Sequence, residues 1–548
     1  MVKLRGSNLG TPAALVGHRC RQLAGSRGRF DHEQRNCRAS EFGKILRYCS
    51  TIKLQALAPK SVGGRSRILL AACASVVALT GLMIRLLIHA MPVGRVNSDE
   101  AIAGLMARHF ARGEWTTFYW GQSYAGSLEM VVTGAIMKVT GSDVFAFYAV
   151  PFVESLLVAG LTFLIARNHV GRDRAIFAGL LVWVFPAAWV LLSTKAMLFY
   201  QPTLIFGLTA VLAADSLIQR NRSRLIVWFG FGLVLGLGWW CSFQILFFAV
   251  PAIVWLLVRR GNRFAEWLVA LVGGLIGASP WLVYYIKYDG LPLKQLAGGQ
   301  GGYVDHLNSI VTAGLPMAVG GRQPYTERWL TLGAGPLVPI LILGAIATAV
   351  VVCCRNRVVW HPLFLVALVF VPLHALAAGA FYVGSGRYFI FLAPTVAFCI
   401  VSCTRRLSIL AGLSVFAALV SGATIWGIRD AYVAPPSTAP VGRLLESRQI
   451  RHVYASYWVA YKLTWESHEA VRAASDFDRY PLWSVEARSA ASAAYVMYLP
   501  IAQDEHRYEA VVDGLKDQSI AYEEFIRGAY VVIIPERNVA PEALGLAG

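Results

Sequence analysis

Acidic residues are scarce in this chain. Its 548 residues include 31 Asp and Glu against 50 Lys and Arg, and charged residues of both signs make up only 15%. An ordinary soluble domain carries about a quarter charged residues, so that class is excluded. Cysteine is also sparse. The nine cysteines stop at Cys403 and show no disulfide framework, so a segment beyond that point folds without oxidative pairing. Also missing are a zinc-type ligand spacing, a phosphate loop, a dinucleotide fingerprint supported by its context, a repeat of solenoid length, and a duplication of one half of the apolar region by the other.

Apolar sequence fills the space that charge leaves. Hydrophobic residues reach 56% and the mean hydropathy is +0.54, which marks a polytopic membrane protein. The formal charge of +19 does not point to nucleic acid. Arg and Lys concentrate before residue 68 and in short loops between apolar runs. Segments of roughly twenty apolar residues predict about eleven transmembrane helices: 68–91, 144–167, 174–194, 197–218, 224–241, 242–259, 265–287, 329–353, 361–383, 387–404 and 407–428. The two spans within 224–259 are close enough to form one kinked unit, and 126–140 is too short to cross and reads as a re-entrant or interfacial helix.

The connections alternate in charge. Loops 167–174, 219–224, 259–263, 354–360 and 404–406 hold about thirteen Arg against the single Asp173. By the positive-inside rule they are cytoplasmic, with the N-terminus. Loop 92–143, loop 288–328 and everything after 428 then face outward. Residues 1–67 are Arg-rich and aperiodic, a disordered cytoplasmic tail in which an organellar transit peptide stays open on composition. The domains are therefore 1–67, a transmembrane domain at 68–428, and 429–548. This last part enters through AYVAPPSTAP and shows the short alternations HVYASY, AYVMYL and AYVVII, expected for a small C-terminal α/β extracytoplasmic domain. The predicted location is the cell (inner) membrane.

Five groups on or near the outward side can do chemistry. Asp99 and Glu100 follow the first span, with Ser98 as N-cap of a helix beginning at Asp99. Two acids in a first turn can serve the helix dipole alone. A carboxylate there can also take a proton from a hydroxyl, and adjacent carboxylates can hold a divalent metal, which stays open. The second group, Gly384-Ser385-Gly386-Arg387-Tyr388-Phe389, places a guanidinium suited to phosphate at the outward end of a late span, where lipid headgroups are the competing partner. Lys195 stands in an outward connection against the charge bias, as a phosphate or headgroup contact. Along Tyr119–Glu129, Trp120 and Tyr124 can stack on a sugar while Gln122 and Glu129 bond its hydroxyls. For Trp120 a membrane-interface belt is the stronger expectation. The last set lies within spans: Arg85, His89, Glu154 and His374, where charge is usually functional or paired; for Arg85 and His89, near the outward end of their helix, snorkelling or a structural Arg–Glu pair suffices.

The stretches SDEAIAGLMARHFARGEW and YWGQSYAGSLEM resemble the first outer loop of the C-type (GT-C) membrane glycosyltransferases, in the bacterial branch related to protein O-mannosyltransferases and aminoarabinose transferases. The Arg387-Tyr388…Pro394 element and HVYASYWVAYKLTWES resemble later segments of the same proteins. The resemblance covers roughly 68–480. It implies an inverting glycosyltransferase that uses a polyprenyl-phosphate sugar donor from the lipid bilayer, with Asp99, or Glu100, as base and Arg387, Tyr388 and Lys195 on the donor phosphate. The acceptor would be a glycan, lipid or protein hydroxyl. Gly121-Gln122-Ser123-Tyr124 replaces the family's Lys-Pro-Pro element, so that phosphate contact does not carry over. A transporter or flippase for a lipid-linked glycan is the alternative; it predicts internal repeats and midplane charges.

Overall fold

The computed structural model describes residues 64–546 apart from 197, 220–223, 261–262, 296–300, 331–350, 352–354, 356–360, 377–385 and 432–433. Most of the basic tail, nearly all of the span at 329–353, the end of the span at 361–383 and the Gly384-Ser385 pair lie outside the described residues.

Helix α1 (Gly64–Ala90) leads into α2 (Ser98–Ala111), the short hairpin β1 (Phe118–Tyr119) and β2 (Gln122–Gly126), and α3 (Leu128–Thr140). Apolar helices of varied length follow: α4 (Asp143–Val170), α5 (Arg172–Val184), α6 (Ala187–Leu192), α7 (Tyr200–Gln219) and α8 (Leu225–Cys241). They continue with α9 (Leu246–Arg260), α10 (Phe264–Gly277), α11 (Ser279–Lys287), α12 (Pro362–Ala375), α13 (Ala393–Cys403) and α14 (Leu407–Gly427). Among the described residues five helices, three of them α1, α4 and α7, are long and apolar enough to cross a membrane, and six if the bent pair α10–α11 is one span.

Local chemistry explains where the expected spans break. The one at 174–194 splits at Phe185-Pro186, because proline has no N–H to continue the ladder. The pair at 224–259 is two helices, separated at Ser242, whose extended backbone lets its hydroxyl accept from Gln244 N. The one at 265–287 bends by 62° where Pro280 opens the second half. Before α13, residues Arg387–Leu392 wind as a tighter turn.

The chain beyond 434 forms α15 (Ala439–Ser447), β3 (His452–Ala455), α16 (Tyr457–Glu466), β4 (Arg472–Ser475), α17 (Pro481–Ser489), β5 (Ala494–Tyr498), α18 (Ala502–Asp517), β6 (Tyr522–Arg527) and β7 (Tyr530–Pro535). The sheet order is β4-β3-β5-β7-β6. Strands β4, β3 and β5 are parallel, with α16 and α17 as crossovers; β7 and β6 add antiparallel. All five residues of β5 are buried, as befits a central strand covered on both faces.

This sheet region is docked onto the loop after the first span. Trp465 of α16 lies over Gly104 of α2, where an added Cβ would come within 2.8–2.9 Å of the indole. The Arg108 guanidinium sits 4.2 Å from the same ring. Around it, Arg108 pairs with Asp143 at 2.8 Å, while Glu469 meets His109 at 3.2 Å and Arg112 at 3.0 Å. Burial opposes the Glu469 charge, yet its hydrogen bonds to His109 and Arg112 prevail and hold the carboxyl down at about 2. A depressed carboxyl stabilises above its ordinary value and loses the effect as pH falls towards the folded one, so this clasp persists in mild acid. Gly104→Ala should cost about 1–3 kcal/mol by forcing the indole aside, read as a lower unfolding midpoint in detergent. An unchanged midpoint would mean that α16 is loosely seated there.

Candidate functional site

The site starts from how α2 begins. Asn97, not Ser98, is the N-cap: its side chain accepts from Glu100 N at 3.0 Å, and Glu100 Oε2 returns to Asn97 N at 3.2 Å. Ser98 is the first helical residue, and its hydroxyl instead donates to Tyr457 O at 2.6 Å. The correction has a physical basis, since a capping box needs Glu three residues after the cap and only Asn97 has one there.

The two acids then diverge. Glu100 is buried and forms an ion pair with Lys195 at 2.9 Å, each side chain only 3% exposed. Lys195 Nζ also donates to Arg95 O at 3.1 Å. This geometry gives Glu100 and Lys195 to each other, while the Asp99 carboxylate is bonded to Tyr457. Among the described residues no group of three or more His, Cys, Asp or Glu could hold a metal ion.

Asp99 is half-buried and takes no part in the cap. Tyr119 Oη donates to its main-chain oxygen at 3.0 Å. Its carboxylate accepts from Tyr457 Oη. The Asp99 charge also reaches Arg387 and Tyr124. Arg387 stands 5.1 Å from the Tyr388 ring, and Tyr388 lies edge-on to buried Tyr200 at 5.8 Å. Positive φ at Gly386 lets the turn press against Met317 and Ala188, so the guanidinium is presented from a tightly seated corner. Asp99, Tyr124, Arg387 and Tyr388 thus form one electrostatic neighbourhood from three distant stretches of chain.

The hairpin supplies its wall. Gln122 and Tyr124 lie on β2, both half-buried, while intervening Ser123 is tied to Gln295 at 2.7 Å. Burial first, then the Tyr388 oxygen, raises the Tyr124 phenol above its ordinary value, so it stays a hydrogen-bond donor. Glu129 is elsewhere. It is buried at the start of α3 with no hydrogen-bond partner for either oxygen among the described residues. Burial, with Glu154 and Glu100 nearby, pushes its carboxyl well above the usual range. Among the described residues Glu129 makes no hydrogen bond with the groups around Asp99.

Trp120 departs from the expected membrane belt. It is 6% exposed and packs on Tyr480 at 4.2 Å and Trp483 at 5.7 Å, both from the sheet region. Its aromatic character serves an internal seam. Two residues of the site, Tyr457 and Arg479, escaped the sequence reading. Tyr457 lies within HVYASYWVAYKLTWES, but nothing local to that stretch marks it as facing Asp99.

Comparison with known proteins bears on this arrangement. The family described as dolichyl-phosphate-mannose-protein mannosyltransferase matches residues 130–284. No curated protein sequence matches the chain. Among solved structures, ArnT from Cupriavidus metallidurans in the apo state aligns with a TM-score of 0.60 at 14% identity, over 88% of this chain and 98% of that one. The same protein bound to undecaprenyl phosphate gives 0.58 at 13% identity, over 86% and 98%. The chain has the GT-C membrane glycosyltransferase fold. It is a multi-pass membrane protein.

Proposed function

We propose that this GT-C protein transfers a sugar from a polyprenyl-phosphate donor to an extracytoplasmic acceptor hydroxyl, with inversion. The observation that carries the reading is that the charge of a half-buried carboxylate, Asp99, is felt at Tyr124 and at the Arg387 guanidinium, which sits beside Tyr388 and, through it, Tyr200. A hydroxyl nucleophile needs a base, and a departing phosphate needs a cation, within one substrate's length. Asp99 takes the acceptor proton as the acceptor oxygen attacks the sugar's anomeric carbon. The bond from that carbon to the phosphate oxygen breaks, and its electron pair leaves with polyprenyl phosphate, held by Arg387 with Tyr388 beside it. Gln122 and Tyr124 face the sugar. The solved ArnT that binds undecaprenyl phosphate supports a lipid-phosphate donor here. The Arg-rich connections support an inner-membrane protein with a cytoplasmic N-terminus and an outward sheet region. A flippase for a lipid-linked glycan fits less well, because the candidate chemistry gathers around one loop and one corner of a glycosyltransferase fold.

The test is a purified, reconstituted chain offered a panel of labelled polyprenyl-phosphate sugars with a membrane extract as acceptor, measuring donor binding and transfer separately. Arg387→Lys keeps the charge but loses the planar fork, so affinity for undecaprenyl phosphate should fall about tenfold to a hundredfold. Undiminished affinity would move the phosphate site away from this corner. Transport of a lipid-linked glycan across vesicles without transfer would favour the flippase.

A further inference from the structure

The sheet region contributes more than a covering. In an open α/β sheet, loops at the carboxyl ends of parallel strands gather functional groups. Strand β3 ends at Ala455 and β4 at Ser475; the start of α16 after the first supplies Tyr457, and the loop after the second supplies Asp476, Phe477 and Arg479. This is the edge of the sheet that meets Asp99.

Tyr457 is held there from several directions. Its N–H donates to Asp476 Oδ1 at 2.8 Å, and its carbonyl accepts from Ser98 Oγ at 2.6 Å. Asp476 is itself fixed by Arg507 at 2.8 Å and Gln503 at 2.7 Å. Tyr461 and Phe477 pack edge-on against the Tyr457 ring, with centroids 5.5 and 5.6 Å away. From this frame the phenol donates to Asp99 Oδ1, the only hydrogen bond to that carboxylate among the described residues. Burial, then the Asp99 charge, raises the phenol above its ordinary value, so it keeps its proton.

Arg479 stands behind the phenol. Its guanidinium is 4.4 Å from the Phe477 ring and 5.7 Å from the Tyr457 ring, and it donates to Gly121 O at 3.2 Å. Any Cβ at position 121 would come within 2.8 Å of Arg479 Cδ, so glycine in the hairpin turn makes the room. No carboxylate pairs with Arg479 among the described residues.

We propose that Tyr457 is a positioning residue for Asp99, holding Oδ1 so that Oδ2 is left to take the acceptor's proton, with Arg479 acting through the phenol. This inference rests on the glycosyltransferase reading above. It makes the sheet region part of the active site. A carboxylate free to rotate loses reactive geometry, whereas one pinned at a single oxygen presents the other in a fixed direction.

Tyr457→Phe preserves the ring and its packing and deletes only the donor. The expected result is a fall in kcat of about tenfold to a hundredfold, with KM for the donor, undecaprenyl phosphate binding and the unfolding midpoint at wild-type values. Arg479→Gln should lower kcat severalfold, and the double variant should be no slower than Tyr457→Phe alone, because Arg479 acts through the residue already removed. A Tyr457→Phe enzyme with wild-type kcat would overturn the proposal. So would losses that multiply in the double variant, since Arg479 would then touch substrate independently, and so would a rise in KM at constant kcat, which would make Tyr457 a substrate contact. A wild-type chain that neither binds undecaprenyl phosphate nor transfers sugar would instead remove the glycosyltransferase reading beneath it.

Discussion

Asp99→Asn should abolish sugar transfer, by about a thousandfold or more, while undecaprenyl phosphate still binds. The amide keeps the size of the side chain and can still accept from Tyr457 Oη, so the local structure survives. What disappears is the basic lone pair that, in the proposed reaction, takes the acceptor's proton. The same change should not destabilise α2, because Asn97 and Glu100, not Asp99, close its first turn. Transfer and binding measured on one preparation separate the roles. Wild-type transfer by Asp99→Asn would demote Asp99 to a dipole-complementing acid. Glu129 is a poor replacement, being enclosed and held neutral by burial and Glu154.

Glu100→Gln should act on folding. It leaves the Lys195 ammonium buried, 3% exposed, with Arg95 O but without its counter-charge. Breaking such a pair from one side costs about 3–5 kcal/mol, because the desolvation of the remaining charge is no longer offset. The expected reading is a lower unfolding midpoint in detergent, with any loss of transfer following the loss of folded protein. Glu100→Gln combined with Lys195→Met removes both charges and should recover much of the midpoint. If Glu100→Gln is as stable as the wild type yet slow in transfer, Glu100 acts in the chemistry and the assignment of the base must be divided between the two acids.

Both predictions turn on a distinction that no pattern in the chain could make. Asp99 and Glu100 are adjacent, equally acidic and equally well placed for a first turn. Their separation into a half-buried acid bonded to Tyr457, 358 positions away, and a buried one paired with Lys195, 95 positions away, is set by those partners. Trp120 shows the same limit from the opposite side. An interfacial aromatic and a core aromatic look alike until the surface that covers the ring is known, and here that surface is Tyr480 and Trp483.

The sequence by itself determined the solvent and the class. Twenty-residue apolar runs must form helices in a bilayer, because backbone N–H and C=O groups there have no water to bond. It also pointed to Asp99 and Arg387, since acid directly after the first span and a guanidinium at the head of a late one stand out against apolar surroundings. The short alternations after 434 announced strands. Tertiary structure alone decided which of two neighbouring acids is buried in an ion pair, and that the segments after β3 and β4 bring Tyr457 and Arg479 to the membrane loop. The reason is that periodicity and composition are local quantities. A hydrogen bond between residues hundreds of positions apart is set by how α16 docks on α2, and that docking depends on the summed shape of Gly104, Trp465 and the ion pairs around them.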